Sequence, residues 1–321
     1  MKTAYLINCH KDMQVVARLA HRIHSENSHI FIHVDVKVAK EEYEELHSAT
    51  NDLKHCFIST VRLNGKLDDR SLVDINMLLV AFAKQIGQQN GDHYSYFTAL
   101  SGQDYPIKPM RFIEQELERN YPDLYLDCSD TTSAAWISNK FNRNKALIQY
   151  RNWVLKCKIS SIRKSLQFIG VVMRKILHLF GQTAEQRIIK KGWKIYGGSA
   201  WWILPDCTVD SIEKEYNSKS EFAVILLDES TTPEETFFQS LSVHILNPDY
   251  KETSNSKMRI MKNKTYVDFG LKSGRPITNH PYTITSESYD LLCSSDCWFA
   301  RKFDYNIDSK ILDTIDETIL K

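Results

Sequence analysis

The sequence predicts an α/β fold with a mostly parallel central sheet and flanking helices. Three observations predict it. Short β-branched runs alternate with stretches of helical apolar spacing. The first strand–helix–strand set is complete within 40 residues, and such units build parallel strands joined by right-handed crossovers. Polar residues also gather where these strands end, the usual place for a ligand in an open α/β sheet.

The elements follow in order. "TAYLINCH" (3–10) is an apolar run that ends in polar groups. "KDMQVVARLAHRI" comes next, with Val15, Val16, Leu19 and Ile23 at helical spacing. "HIFIHVDVK" (29–37) is an alternating β-branched strand, and "HCFIST" (55–60) is another. "SLVDINMLLVAFAKQI" (71–86) reads as a helix. "YSYFTALSGQDYP" (94–106) is a strand running into a turn, broken at Gly102 and Pro106. "DLYLD" (123–127), "KIYGGSAWWILP" (194–205) and "FAVILLD" (222–228) read as strands, and the chain from about Asn279 reads as helical and irregular.

With 321 residues and 42% apolar content the chain can bury a large core, and it reads as a single domain over 1–321. Lys+Arg number 41 and Asp+Glu 40, so no global basic bias points to nucleic acid. Any electrostatic function is therefore local. Seven cysteines are scattered without a C-x-x-C pair, so zinc and dithiol chemistry are not expected. They read as small apolar residues of a reduced, cytoplasmic protein. The N-terminal apolar run is too short for a signal peptide, and no run of 18 apolar residues exists.

Several ligand motifs are missing. Neither G-x-G-x-x-G nor G-x-x-x-x-G-K-[ST] occurs, and neither does H-E-x-x-H or G-x-S-x-G. D-x-D, which can hold a divalent cation against a nucleotide diphosphate, is also absent. A diphosphate bound here would need another positive partner. "SSDCWFARKFDYN" (294–306) supplies a candidate: Arg301 and Lys302 stand between aromatic residues, flanked by Asp296 and Asp304.

Six segments together resemble one family: "AYLINCHKD", "FIHVDVK", "YFTALSGQDYPIKP", "GGSAWWILP", "TPEETFFQSL" and "HPYTITSESYDLLCSSDCWFARKFD". Their order and spacing resemble the core-2/I-branching glycosyltransferases. These include β-1,6-N-acetylglucosaminyltransferases and, more distantly, peptide xylosyltransferases. The resemblance implies a Rossmann-like nucleotide-diphospho-sugar transferase fold of the GT-A type. It implies an inverting enzyme that takes a UDP-sugar, most readily UDP-N-acetylglucosamine, with no metal or other cofactor. The family's Trp-rich motif is replaced by "RLNGKLDDRSLVD" (62–74), and where some members place a diphosphate-binding Arg this chain has "GRPITNHP" (274–281), with Arg275 offset.

By that resemblance Glu235 is the catalytic base, with Glu234 beside it as runner-up. The same residues also fit a helix N-terminus, with Thr232 and Glu235 as a capping box. Lys302 aligns with the family's diphosphate-binding lysine. Arg301 stands between a ligand role and ion pairs to Asp296 or Asp304. Asn8, Cys9, His10 and Asp35 align with the walls of the uridine and ribose site. Asp104 either orients the donor loop or caps its turn. Ser199, Trp201 and Trp202 complete the candidates. Strand alternation sends the two indoles to opposite faces, one to the core and one to a sugar ring. "TSAAWISNKFNR" (132–143) is a candidate acceptor segment, and the implied acceptor is a glycan or lipid-linked glycan.

Residues 151–191 read as a basic amphipathic insertion, with ten Lys/Arg against one acid, Glu185. Leu155, Ile159, Ile162, Leu166, Ile169, Met173, Ile176 and Phe180 recur at helical spacing. This pattern fits an interfacial helix drawn to anionic lipid on the inner face of a membrane. It also fits a helix packed on the domain with a solvated basic face, or one that binds a partner.

Overall fold

The computed structural model describes residues 1–67, 69–131, 133–246 and 258–321. It is an α/β fold. Its strands are β1 (Lys2–Cys9), β2 (Ser28–Val34), β3 (Cys56–Ile58), β4 (Tyr94–Ser101), β5 (Asp104–Pro106), β6 (Leu124–Leu126), β7 (Ser129–Asp130), β8 (Tyr196–Gly197), β9 (Trp202–Pro205), β10 (Ile260–Met261), β11 (Thr265–Val267) and β12 (Phe299–Arg301). The helices are α1 (Met13–Ile23), α2 (Lys40–Ala49), α3 (Ser71–Asn90), α4 (Met110–Asn120), α5 (Ala135–Lys140), α6 (Lys145–Leu155), α7 (Ser160–Leu179), α8 (Ala184–Lys190), α9 (Asp206–Ser218), α10 (Glu221–Asp228), α11 (Phe237–Leu246), α12 (Tyr289–Cys293) and α13 (Lys310–Thr318).

Seven strands form the central sheet in the order β10-β6-β9-β4-β1-β2-β3. β1 runs parallel to β2 and β4, and β2 to β3, while β9 runs antiparallel to both β4 and β6. The middle strands are covered on both faces, as parallel strands require. Tyr5, Ile7 and Cys9 face one apolar cluster, with Val15 of α1, Ile113 of α4 and Ile311 of α13. Ala4 and Leu6 face the other, with Val80 of α3, Val209 of α9 and Phe237 of α11.

Three readings are corrected. Residues 222–228 are helix α10 rather than a strand: the Ser220 hydroxyl accepts the Ala223 amide and starts a helix on an apolar run too short to show its period. Residues 299–301, expected within an irregular stretch, form strand β12 between β11 and β5 in a second sheet. The long amphipathic helix is broken: α6 ends at Leu155 and α7 begins at Ser160.

Candidate active site

A cleft of about 1550 Å³ opens at the carboxyl edge of the sheet. Its wall is built from segments that leave strand ends. Gln103 follows β4, Asp127 to Ser129 follow β6, and Gly198 to Trp201 precede the antiparallel β9. The turn at Thr232–Glu235 and the segment carrying Arg301 and Lys302 close it. Two glycines permit the close approach. A Cβ on Gly198 would run into the Asp127 backbone, and one on Gly102 would stand 2.6 Å from the Cβ of Cys9.

The second sheet sets the floor. Antiparallel pairing of β5 with β12 places Arg301 opposite Asp104. Asp104 is fully buried. It accepts hydrogen bonds from the Ser101 amide (2.7 Å), the Ser101 hydroxyl (2.9 Å) and the Trp201 indole (2.5 Å). The Arg301 guanidinium lies over the Trp201 ring, 3.6 Å from its centroid, with Nε 3.7 Å from Asp104. Burial pushes the Asp104 carboxyl up and the Arg301 guanidinium down, and the opposite charge of each resists the shift in the other. Nε and Nη1 of Arg301 are buried without a hydrogen-bond partner. The two acids expected beside Arg301 are engaged elsewhere: Asp296 pairs with Lys264 (3.2 Å) and Asp304 with Lys11 (2.7 Å). Lys302 lines the cleft, and its ammonium has no ion-pair partner among the described residues.

Glu235 ends a 3-10 turn, Pro233–Glu235, and its side chain is 38% exposed to the cleft. The capping-box alternative does not hold, because the Thr232 side chain accepts no cap hydrogen bond and α11 starts only at Phe237. Glu235 is anchored through its backbone: its amide donates to Thr232 O (3.1 Å) and its carbonyl accepts from Gly198 N (2.9 Å). Lys140 of α5 approaches its carboxylate at 3.6 Å. Glu234 is buried in the same wall.

Ser199 and Trp201 line the cleft, and Gln239 of α11 fixes the loop by donating to the Ser199 carbonyl (2.6 Å). Trp202 is the core member of the indole pair. It is 1% exposed and packs on Phe238, 4.6 Å between ring centroids, so its ring does not reach a ligand. Of the candidate acceptor segment, Trp136 and Lys140 line the cleft, and Thr132 lies outside the described residues.

Asn8, Cys9, His10 and Asp35 do not line this cleft. The Cys9 thiol is buried and points at the His33 carbonyl, and desolvation pushes it up. Asp35 is consumed by turns, accepting from the Lys37 amide (2.8 Å) and the Gly65 amide (2.7 Å). The Asn8 side chain meets His33 Nδ1 at 3.1 Å, and His33 Nε2 accepts the Leu63 amide at 2.8 Å. His10 remains exposed. The two regions are nonetheless joined, because Lys11–Asp304 and the Gly102 amide on the Asn8 carbonyl (3.0 Å) tie the end of β1 to the Arg301 segment.

The sequence reading missed Lys262 and Lys272, two cleft cations that no motif marks. Asn279 and His280 also line the cleft, whereas Arg275 pairs with Glu287 at 2.9 Å outside it. Among the described residues no three His, Cys, Asp or Glu side chains converge as a metal-ligand set. The arrangement therefore offers the accessible carboxylate of Glu235, with Asp127 and Asp296 elsewhere on the wall, and several cations around a space large enough for a sugar nucleotide.

No family model and no curated protein matches the chain. Among solved structures, the mannosyltransferase Ktr4p of S. cerevisiae is similar over 81% of this chain and 68% of its own, at 11% identity and a TM-score of 0.34. So loose a superposition leaves function to the residues themselves.

Proposed function

We propose that the chain is an inverting glycosyltransferase of the GT-A type that moves a sugar from a UDP-sugar to a glycan hydroxyl. The observation that carries this reading is Arg301: a buried guanidinium in the cleft wall with two unmatched donors, next to Lys302 with no ion-pair partner among the described residues. Buried donors left without an acceptor are costly, and the oxygens of a diphosphate would accept from them. The accessible carboxylate of Glu235 supplies the second requirement.

In this reading the acceptor oxygen attacks C1 of the donor sugar. Glu235 takes the hydroxyl proton as the new C–O bond forms. The bond from C1 to the diphosphate oxygen breaks, and UDP leaves with the electron pair. Lys302, a compact charge, and Arg301, a planar fork, stabilise the negative charge that develops. N-acetylglucosamine is the donor sugar favoured by the sequence resemblance, and the absence of D-x-D supports cations in place of a metal.

The test is UDP release from a panel that includes UDP-N-acetylglucosamine and UDP-xylose, with and without chelator. Turnover with one donor that survives chelation is expected. Glu235→Gln should melt normally and lose at least about 100-fold in turnover, the usual weight of a general base. A fully active Glu235→Gln removes the base assignment. No turnover with any donor removes the transferase reading.

A further inference from the structure

Helix α7 is packed inside out. None of its 20 residues is buried. Its half-buried side, Arg163, Leu166, Gly170, Arg174 and Leu177, meets α6: a Cβ on Gly170 would stand 3.3 Å from the Tyr150 ring, and the Tyr150 hydroxyl donates to the Leu166 carbonyl at 2.9 Å. The other side carries Ile162, Phe168, Ile169, Val172, Ile176 and Leu179, between 41% and 81% exposed. A surface helix in water turns its apolar stripe to the core. Here the stripe faces out, and contiguous apolar surface of this kind marks an interaction site.

Charge narrows the occupant. The segment 151–191 carries ten Lys/Arg against Glu185 alone. Arg143 and Arg174 line a cavity of about 200 Å³ between α6 and α7, and among the described residues no Asp or Glu lines it. Desolvation and the neighbouring guanidiniums push Arg143 below its ordinary range. A second copy of the chain would bring like charges together across the apolar faces. A surface that offers both acyl chains and anions satisfies both features. Arg163, Lys164, Arg174 and Lys175 interrupt the helix, so it suits lying along a bilayer, and no described helix is long and apolar enough to cross one.

We propose that α7 docks the protein on an anionic lipid bilayer, its apolar face among the acyl chains and a lipid phosphate beside Arg143 and Arg174. This assignment is independent of the reaction in the cleft. The test is co-sedimentation of the full chain with vesicles of phosphatidylcholine alone and of equimolar phosphatidylcholine and phosphatidylglycerol. Binding at least about tenfold tighter to the anionic vesicles, weakened by salt, is expected. Phe168→Asp with Ile176→Asp, at exposed positions, should keep the melting curve and abolish sedimentation. Arg143→Glu with Arg174→Glu keeps the apolar face and should lose the preference for anionic vesicles. Wild-type chain that ignores anionic vesicles overturns the proposal, as does undiminished sedimentation of the aspartate variant. A dimer that the aspartate variant disperses, without vesicle binding, would assign the face to a second copy instead.

Discussion

Arg301 shows how a single residue can be placed against its own solvation. Its guanidinium lies over Trp201 and faces Asp104 only at 3.7 Å through Nε. Asp104 keeps three other donors, from Ser101 and Trp201, if Arg301 is removed. Arg301→Met, similar in shape but uncharged, nonetheless strips the buried Asp104 of its counter-charge and should lower the melting temperature. UDP affinity by calorimetry should fall at least about tenfold, the worth of a charge-assisted hydrogen bond. A lower melting temperature with unchanged UDP affinity would make Arg301 a purely structural partner of Asp104.

His33 is a residue-scale device that sequence reading passed over. Its Nε2 accepts from Leu63 and its Nδ1 meets Asn8, so the ring is neutral in the fold. Burial lowers its pKa from 6.5 to about 4, and His29 is lowered to about 4 in the same way. Above pH 6.5 neither folded nor unfolded ring is charged, and nothing is lost. As pH falls from 6.5 toward 4, the unfolded chain takes a proton that the folded ring refuses, and stability drops. The loss at pH 5 is roughly 2 kcal/mol per histidine. His33→Gln can keep both hydrogen bonds without titrating. Urea unfolding at pH 7 and pH 5 should show it losing about half as much as wild type from these two sites.

At the scale of elements, β1, β2, β3, β4, β6 and β9 could be read because each carries an apolar run in its own residues. Strand β12 could not be read this way. It has three residues, one of them Arg301, and it exists because β11 and β5, distant in sequence, flank it. The Asp104–Arg301–Trp201 arrangement was hidden for the same reason, since it arises from a register and not from a motif. Residues 194–205 read as one strand, but the chain breaks between β8 and β9, where Gly198 lets the loop lie against Asp127. Gly198→Ala must push that backbone apart. A destabilisation of about 3 kcal/mol, the upper range for overpacking, is expected together with collapse of turnover. An alanine variant with wild-type melting and activity would show that this wall is freer than the packing implies.

Across the whole molecule, the two apolar clusters divide the work between the faces of the central sheet, and α7 belongs to neither. The elements around it hold without it. The Ala184 amide donates to Arg143 O (2.7 Å), the Glu185 amide to Phe141 O (3.1 Å), and Thr183 with Gln186 caps α8. The cleft residues also come from other segments. Replacing 158–181 by a flexible Gly/Ser linker should therefore shift the melting temperature by no more than about 2 °C, equivalent to roughly 1 kcal/mol for a chain of this size. Turnover of a soluble acceptor should persist, while vesicle binding should vanish. The apolar periodicity of this helix was plain in the sequence, yet periodicity reports only that a helix has an apolar side. Which way that side points is decided by what the remainder of the fold leaves uncovered. Here Gly170 and Tyr150 take the inward contact, and the stripe is turned out. Loss of both folding and turnover on excision would mean that α7 supports the cleft and that its exposed face is secondary.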